Sequence, residues 1–300
     1  VRYLLLLLAF ITLGGCDAPK EHHYRIEYSD EAPQHLTRYV IGVHPLHNPV
    51  RLHELFQPLM ALLGEQFEDV EFRVEASRNY SAYNRKLYDG EFDFAIPNPY
   101  QTVQALKHGY RVIGKMADDD RFRGIILVRR DSGIERLEQL RGRKVSFPAP
   151  TALAATMMPQ WFLHRQGLDV ARDYQPVYVG SQESSIMNVY LGNVAAAATW
   201  PTPWRGLLAE RPELEKALKV RWVTDSLPSN SVMVREDVPR DHVLRVARTL
   251  FALSSHERGR RMLENMAITG YVPASDATYE SVQRFLERFE RELRPLEAER

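Results

Sequence analysis

The sequence predicts an α/β protein with two lobes that face a shared cleft. Two observations lead there. Runs with strand and helix periodicity alternate along the chain, and a compound motif occurs twice. Phe92-Asp93-Phe94-Ala95-Ile96 reads as an apolar strand that runs into Pro97-Asn98-Pro99-Tyr100, then a helical run from Gln101 to His108 closed by Gly109. About a hundred residues later, a small-residue strand from Ala195 to Thr199 leads through Trp200 into Pro201-Thr202-Pro203-Trp204. Each motif follows a helix closed by glycine, Gly90 or Gly192. Open α/β sheets bind ligands at the carboxyl ends of their strands, so a matched pair aims two lobes at one site. Proline at a first helical position is also ordinary helix-start chemistry, and the motif alone names no ligand.

The chain has 300 residues, 44% of them hydrophobic, which is enough for one large or two medium domains. Acidic and basic residues balance at 39 each, so nothing points to nucleic acid or to a polybasic membrane surface. Residues 1–15 read as a targeting segment: Arg2, a short apolar run from Leu4 to Leu13, then Leu13-Gly14-Gly15-Cys16. The run is too short to be a permanent membrane span. The pattern resembles a bacterial lipoprotein signal, with Cys16, the one cysteine of the chain, as the lipid attachment site. Residues 16–37 are polar and aperiodic and read as a tether; His22-His23 within it reads as solvated.

Tyr39 to Val43 is the first expected strand, ending at His44-Pro45-Leu46-His47. His44 faces the cleft or is a satisfied structural histidine; its spacing from His47 is metal-like, but no acidic or thiol cluster accompanies the pair. Leu52, Leu55, Phe56, Leu59, Leu62, Leu63 and Phe67 form a helical core face interrupted by Pro58. Val70 to Val74 alternates as a strand, with Tyr80 in the loop and helix start that follow. Asp118-Asp119-Asp120 reads as a solvated turn, because its spacing lacks a calcium loop. Gly124 to Val128 is a strand expected to close the first lobe, with Asp131-Ser132-Gly133 as a hinge. Lys144 to Phe147 opens a second β-α-β set, with helices beginning near Thr151 and after Ser181, which can cap the second of them. The segment around Pro228-Ser229-Asn230 reads as the return crossing, and three amphipathic helices finish the chain. The lobes are thus expected at 38–130 with 223–300, and at 131–222.

An ordered set of motifs carries a more specific resemblance. It comprises Gly42-Val43, Pro58-Leu59, Tyr80, Tyr88-Asp89-Gly90, Phe92 to Ala95, Tyr100, Asp131-Ser132-Gly133-Ile134, Leu140-Arg141-Gly142-Arg143-Lys144-Val145 and Gly180-Ser181. This order resembles the phosphate/phosphite/phosphonate-binding family of ABC-transporter periplasmic proteins over residues 38 to 235. The resemblance implies a type II periplasmic-binding-protein fold, two α/β lobes with a double crossover and a ligand cleft between them. It also implies a Ser-Thr-Ser-Gly anion cradle at the second lobe's first helix, where this chain has Ala152-Leu153-Ala154-Ala155. Ser181-Gln182-Glu183 stands for the family's Ser-His-Asp, and Ala195 for an acid that receives a substrate ammonium. These departures point away from a simple aminoalkylphosphonate.

The expected ligand-binding residues are His44, Tyr80, Asn98, Tyr100, Thr151, Ser181, Gln182, Glu183, Trp200 and Asn230, with Trp204 as a further aromatic candidate. The expected function is an extracytoplasmic solute-binding lipoprotein on the periplasmic side of the membrane. It would serve an ABC permease and take a small ligand, an anionic phosphorus compound or a relative of one. The alternative is a sensor subunit that presents its liganded form to a membrane receptor or histidine kinase. An enzyme is not expected: the chain offers no cysteine nucleophile and no serine–base pair, and only Glu183 with His44 suggests an acid–base couple. No cofactor is expected; a metal-binding receptor would have to rest on His44 and His47.

Overall fold

The computed structural model describes residues 36–296, which form two β-sheets flanked by helices. The expected signal segment, Cys16, His22-His23 and all but the end of the expected tether lie outside the described residues. Thr37, expected as the last tether residue, belongs to the first strand.

The first sheet is built from β1 (Thr37–Val43), β2 (Val70–Ala76), β3 (Phe94–Ile96), β4 (Tyr110–Met116), β10 (Ser231–Arg235) and β11 (Tyr271–Val272), in the order β11-β4-β10-β3-β1-β2. β1 pairs in parallel with β2 and β3, and β10 enters antiparallel between β3 and β4. Helix α1 (Pro49–Gly64) starts where the Asn48 side chain accepts from Arg51 N, and it buries the expected leucine and phenylalanine face. It runs through Pro58 as one element. α2 (Tyr80–Tyr88) is capped by Asn79, and α3 (Pro99–Ala105) by Asn98 in a capping box with Gln101. Three C-terminal helices, α8 (Arg240–Ala252), α9 (Glu257–Asn265) and α10 (Glu280–Glu292), add their apolar faces to this half, as their periodicity predicts.

The second sheet holds β5 (Arg123–Arg129), β6 (Lys144–Phe147), β7 (Gln175–Tyr178), β8 (Ala196–Thr199) and β9 (Leu218–Ser226), in the order β7-β6-β8-β5-β9. Alternation on a strand sends neighbours to opposite faces, and each face has its own apolar layer. Ile126, Val128, Ala196 and Ala198 join one layer, and Ile125, Leu127 and Ala197 the other. Helices α4 (Met158–Arg165), α5 (Gln182–Tyr190), α6 (Pro201–Glu210) and α7 (Glu213–Ala217) belong to this half. A π-helical turn, Leu153–Met157, precedes α4. Gly124 makes room for it: a Cβ there would lie 2.6 Å from both Ala154 O and Pro159 Cγ.

The chain changes sheets twice, at 117–122 and at 227–230; the first change comes earlier than the motif reading expected. β5 was expected in the first lobe, yet it pairs with β8 and β9 of the second sheet. Asp131-Ser132-Gly133 is therefore no hinge between sheets. It is a turn after β5, tied back by the Arg129–Asp131 ion pair and by Ser132 Oγ donating to Arg129 O at 2.7 Å. The return at Pro228-Ser229-Asn230 stands where the sequence placed it. The aspartate run is not a solvated turn. Asp118 is buried, with Oδ2 accepting from Thr269 N at 2.8 Å and Oδ1 at 3.1 Å from Arg121 Nη1. Asp119 Oδ1 accepts from Lys115 Nζ at 2.7 Å and from Ser229 N, on the other crossing, at 2.9 Å. Crossing peptides leave their sheet ladders, and these carboxylates supply acceptors that the ladders no longer do.

Two substitutions test this frame. Asp118→Ala removes a buried charge-assisted acceptor and should lower unfolding free energy by about 2–3 kcal/mol in urea titrations. Gly124→Ala should cost about 1–3 kcal/mol, because the atoms in its way are a backbone carbonyl and a proline ring rather than a flexible side chain.

Candidate functional site

The two sheets point strand ends at one another across a small interior cavity. From the first half it is lined by His44, after β1, by Tyr80, which opens α2, and by Asn98, which caps α3. Phe122 and Asn230 come from the two crossings. The second half contributes Ala152 to Ala155, Gln182 at the start of α5 and Trp200 before α6. The space between these residues is about 190 Å³, its opening to solvent included. Among the described residues no aspartate, glutamate, lysine or arginine lines it.

Six expected ligand residues thus meet at one place: His44, Tyr80, Asn98, Gln182, Trp200 and Asn230. His44 is 2% exposed, and its Nδ1 lies 3.0 Å from Ile96 O. A carbonyl only accepts, so Nδ1 carries the ring hydrogen and Nε2 is left with a lone pair. Burial pushes the His44 pKa down to about 4 from 6.5, so the ring is neutral at pH 7. Asn98 uses Oδ1 to cap Gln101 N at 3.0 Å and sends Nδ2 to Thr151 O, across the cleft, at 3.2 Å. Gln182 makes the second crossing bond, Nε2 to Tyr80 Oη at 3.2 Å, while its Oε1 accepts from Thr199 Oγ1 at 2.9 Å. Trp200 meets Phe122 edge-on, with ring centroids 5.2 Å apart.

The remaining candidates fall elsewhere. Tyr100 is packed in the first half's core. Thr151 touches the site through its backbone carbonyl, and its side chain is buried. Ser181 caps α5, accepting from Ser184 N, and it lines an outer gap with Glu183, His47, Arg51 and Glu210. Arg51 and Glu210 close that gap with an ion pair of 3.3 Å. Glu183 and His44 thus line different spaces, which leaves no acid–base couple between them. Trp204 belongs to a core layer of the second sheet. Among the described residues no group of three or more histidine, cysteine, aspartate or glutamate side chains is placed to hold a metal.

The cradle is a run of small residues, as expected, and its donors are amides. The amides of Leu153, Ala154 and Ala155 donate to no backbone carbonyl, as at any helix start. The loop before them is pinned from the other half. Arg294, just past α10, donates Nη2 to Pro150 O at 2.7 Å and Nε to Gln160 Oε1 at 3.0 Å, next to the carbonyl that Asn98 holds. Ala195 lies at the far end of β8 from Trp200, with its amide bonded to Lys144 O. Four strand residues span roughly 13 Å, so an acid there would not reach this cavity. Motif reading missed Phe122 and Arg294. Phe122 is an isolated aromatic between the aspartate run and the strand that starts at Gly124, and Arg294 is one of many arginines on a charged helix end.

The sequence profile of the family described as "ABC transporter, phosphonate, periplasmic substrate-binding protein" matches residues 41–279. The chain belongs to that family. A curated relative, a probable ABC-transporter phosphite-binding protein of Prochlorococcus marinus, is 23% identical over 194 residues. That match spans 61% of this chain and 65% of the relative's length. Among solved structures, a binding protein component of an ABC phosphonate transporter from Pseudomonas aeruginosa superposes with a TM-score of 0.77 at 14% identity, covering 85% of this chain and 87% of that one. A Prochlorococcus marinus protein in complex with methylphosphonate gives 0.76 at 18% identity, covering 84% and 98%. The fold is the type II periplasmic-binding-protein fold that the family resemblance implied.

The buried histidines make this family member acid-sensitive. His47, at the outer gap, is also shifted down, by burial and then by Arg51 and His44. A depressed pKa means that the structured state binds fewer protons than the opened one. Stability is therefore full above pH 6.5 and falls as pH drops toward 4, by on the order of 3 kcal/mol for His44. Melting temperature measured across that range should fall for the wild type and fall less for His44→Gln.

Proposed function

We propose that the protein is the extracytoplasmic capture component of an ABC uptake system and binds a small phosphorus oxyanion of the phosphite or methylphosphonate kind. The observation that carries this reading is the composition of the inner cavity. It offers amide donors at a helix start, the arrangement that favours oxyanions, and no charged side chain. An anion is held there by dipoles rather than by a counter-ion, and an ammonium finds no partner. The similarity to a phosphite-binding relative and to a methylphosphonate complex supports the same ligand size.

In this reading 36–122 with 227–296 form one lobe and 123–226 the other. They open and close about the two crossings, and ligand shifts that equilibrium. The Gln182–Tyr80 and Asn98–Thr151 bonds belong to the closed form. Cys16 carries the lipid that tethers the protein to the periplasmic side of a membrane, and residues 17–35 give it reach.

Thermal shift of the full chain in mild detergent tests the assignment. Phosphite or methylphosphonate at about 100 times its dissociation constant should stabilise the fold by about 2.7 kcal/mol. 2-Aminoethylphosphonate should need at least about tenfold more ligand for the same shift, because its buried ammonium is unpaired. No shift with any phosphorus compound, or a preference for the aminoalkyl ligand, overturns the reading.

A further inference from the structure

Two hydrogen-bond acceptors stand on the wall of the inner cavity, and one of them, Asn230 Oδ1, has nothing to accept from. Asn230 is fully buried, its Nδ2 lies 3.6 Å from Met116 Sδ, and its Oδ1 has no donor. The orientation of the amide follows from chemistry. A thioether sulfur accepts and does not donate, so the nitrogen belongs on the Met116 side. On His44, the ring hydrogen is committed to Ile96 O, which leaves Nε2 as a lone pair on a buried ring. Its depressed pKa keeps it an acceptor at neutral pH. The second half supplies the opposite chemistry, the amide donors that open the π-helical turn. A complementary ligand therefore needs oxygens for the amides and a hydrogen for the other wall.

We propose that Asn230 and His44 are specificity-determining residues that make the cavity select oxyanions retaining a hydroxyl proton over fully ionised oxyanions of the same shape. This deepens the functional reading above and rests on it. The comparison that isolates the effect is methylphosphonate monoanion against methanesulfonate. The two share one negative charge, a tetrahedral centre, a methyl group and three oxygens. Only the phosphonate carries an O–H. That hydrogen meets Asn230 Oδ1 or His44 Nε2, whereas the sulfonate sets an oxygen lone pair against both. The facing edges of Phe122 and Trp200 are left for the substituent on phosphorus. A site built to bond a hydroxyl rejects an analogue lacking it because its own buried groups stay unpaired.

The test is calorimetric titration of the full chain in mild detergent, near neutral pH where methylphosphonate keeps its second proton. The wild type should bind methylphosphonate at least about tenfold more tightly than methanesulfonate. Asn230→Leu removes one acceptor at similar volume and should narrow that ratio several-fold, through weaker methylphosphonate binding with methanesulfonate unchanged or tighter. Equal or tighter wild-type binding of methanesulfonate overturns the selection while leaving oxyanion capture intact. So does an undiminished ratio in a folded Asn230→Leu protein. If that variant does not fold, the wild-type ratio decides. Binding of neither ligand overturns the capture reading and this inference together.

Discussion

The carboxylates of Asp118 and Asp119 hold the place where the chain passes between sheets, and the site depends on them. Asp119 ties the outgoing crossing to the returning one at Ser229 N, and Asp118 ties it to Thr269 of the C-terminal region. Phe122 and Asn230 stand at the cavity ends of those crossings. The same short segments thus connect the two halves and supply two walls of the site. Any change in the angle between the sheets moves a cavity wall directly. For the lobe closure proposed above, that coupling would be built into the covalent path rather than transmitted through packing.

Closure is held by a few bonds of modest strength. Asn98 to Thr151 O, Gln182 to Tyr80 and Arg294 to Pro150 O join the two halves close to the cavity, and the Arg51–Glu210 pair joins them at its outer edge. Neutral hydrogen bonds contribute on the order of 1 kcal/mol each after water is accounted for, and exposed ion pairs less. Most of the contact between the halves is apolar, since one core cluster joins first-half residues to Ala152–Ala155, Met158 and Trp200, and these bonds add direction to it. The Asn98 and Arg294 bonds have a second effect. They engage consecutive carbonyls of the loop before Leu153, Thr151 O and Pro150 O, and fix that loop from the other half.

The sequence was most legible where local chemistry decides the structure. Asn98 and Pro99 announce a helix start, and Gln182 follows a serine cap, so both residues were expected at strand-to-helix junctions and both are there. The paired proline motifs placed Trp200 at the cleft for the same reason, and the C-terminal helices followed from their periodicity. What failed depended on pairing between distant strands. Nothing local distinguishes a strand that closes one sheet from one that opens the next, so β5 was assigned to the wrong half and the Asp131 turn was taken for a hinge. The aspartate run was misread because its partners, Thr269 and Ser229, lie 151 and 110 residues away in sequence. Tyr100 illustrates a third limit. Two positions along the chain separate the cavity-facing cap Asn98 from the core side chain of Tyr100, and composition does not tell them apart.

The alanine-rich cradle changes what kind of discrimination the site can make. A cradle of serine and threonine hydroxyls rotates to donate or accept, and so adapts to ligands in different protonation states. Amides only donate. Replacing hydroxyls by Ala152, Leu153 and Ala154 therefore fixes one wall as donor. The acceptor groups that remain, on Asn230 and His44, belong to the other half. Polarity across the cavity becomes directional, with donors on one side and acceptors on the other. A ligand that closes the cleft must then span both, with bare oxygens toward the cradle and a hydroxyl toward the crossing. The same loss of hydroxyls that departs from the family's usual cradle yields a site more exacting about the position of a proton.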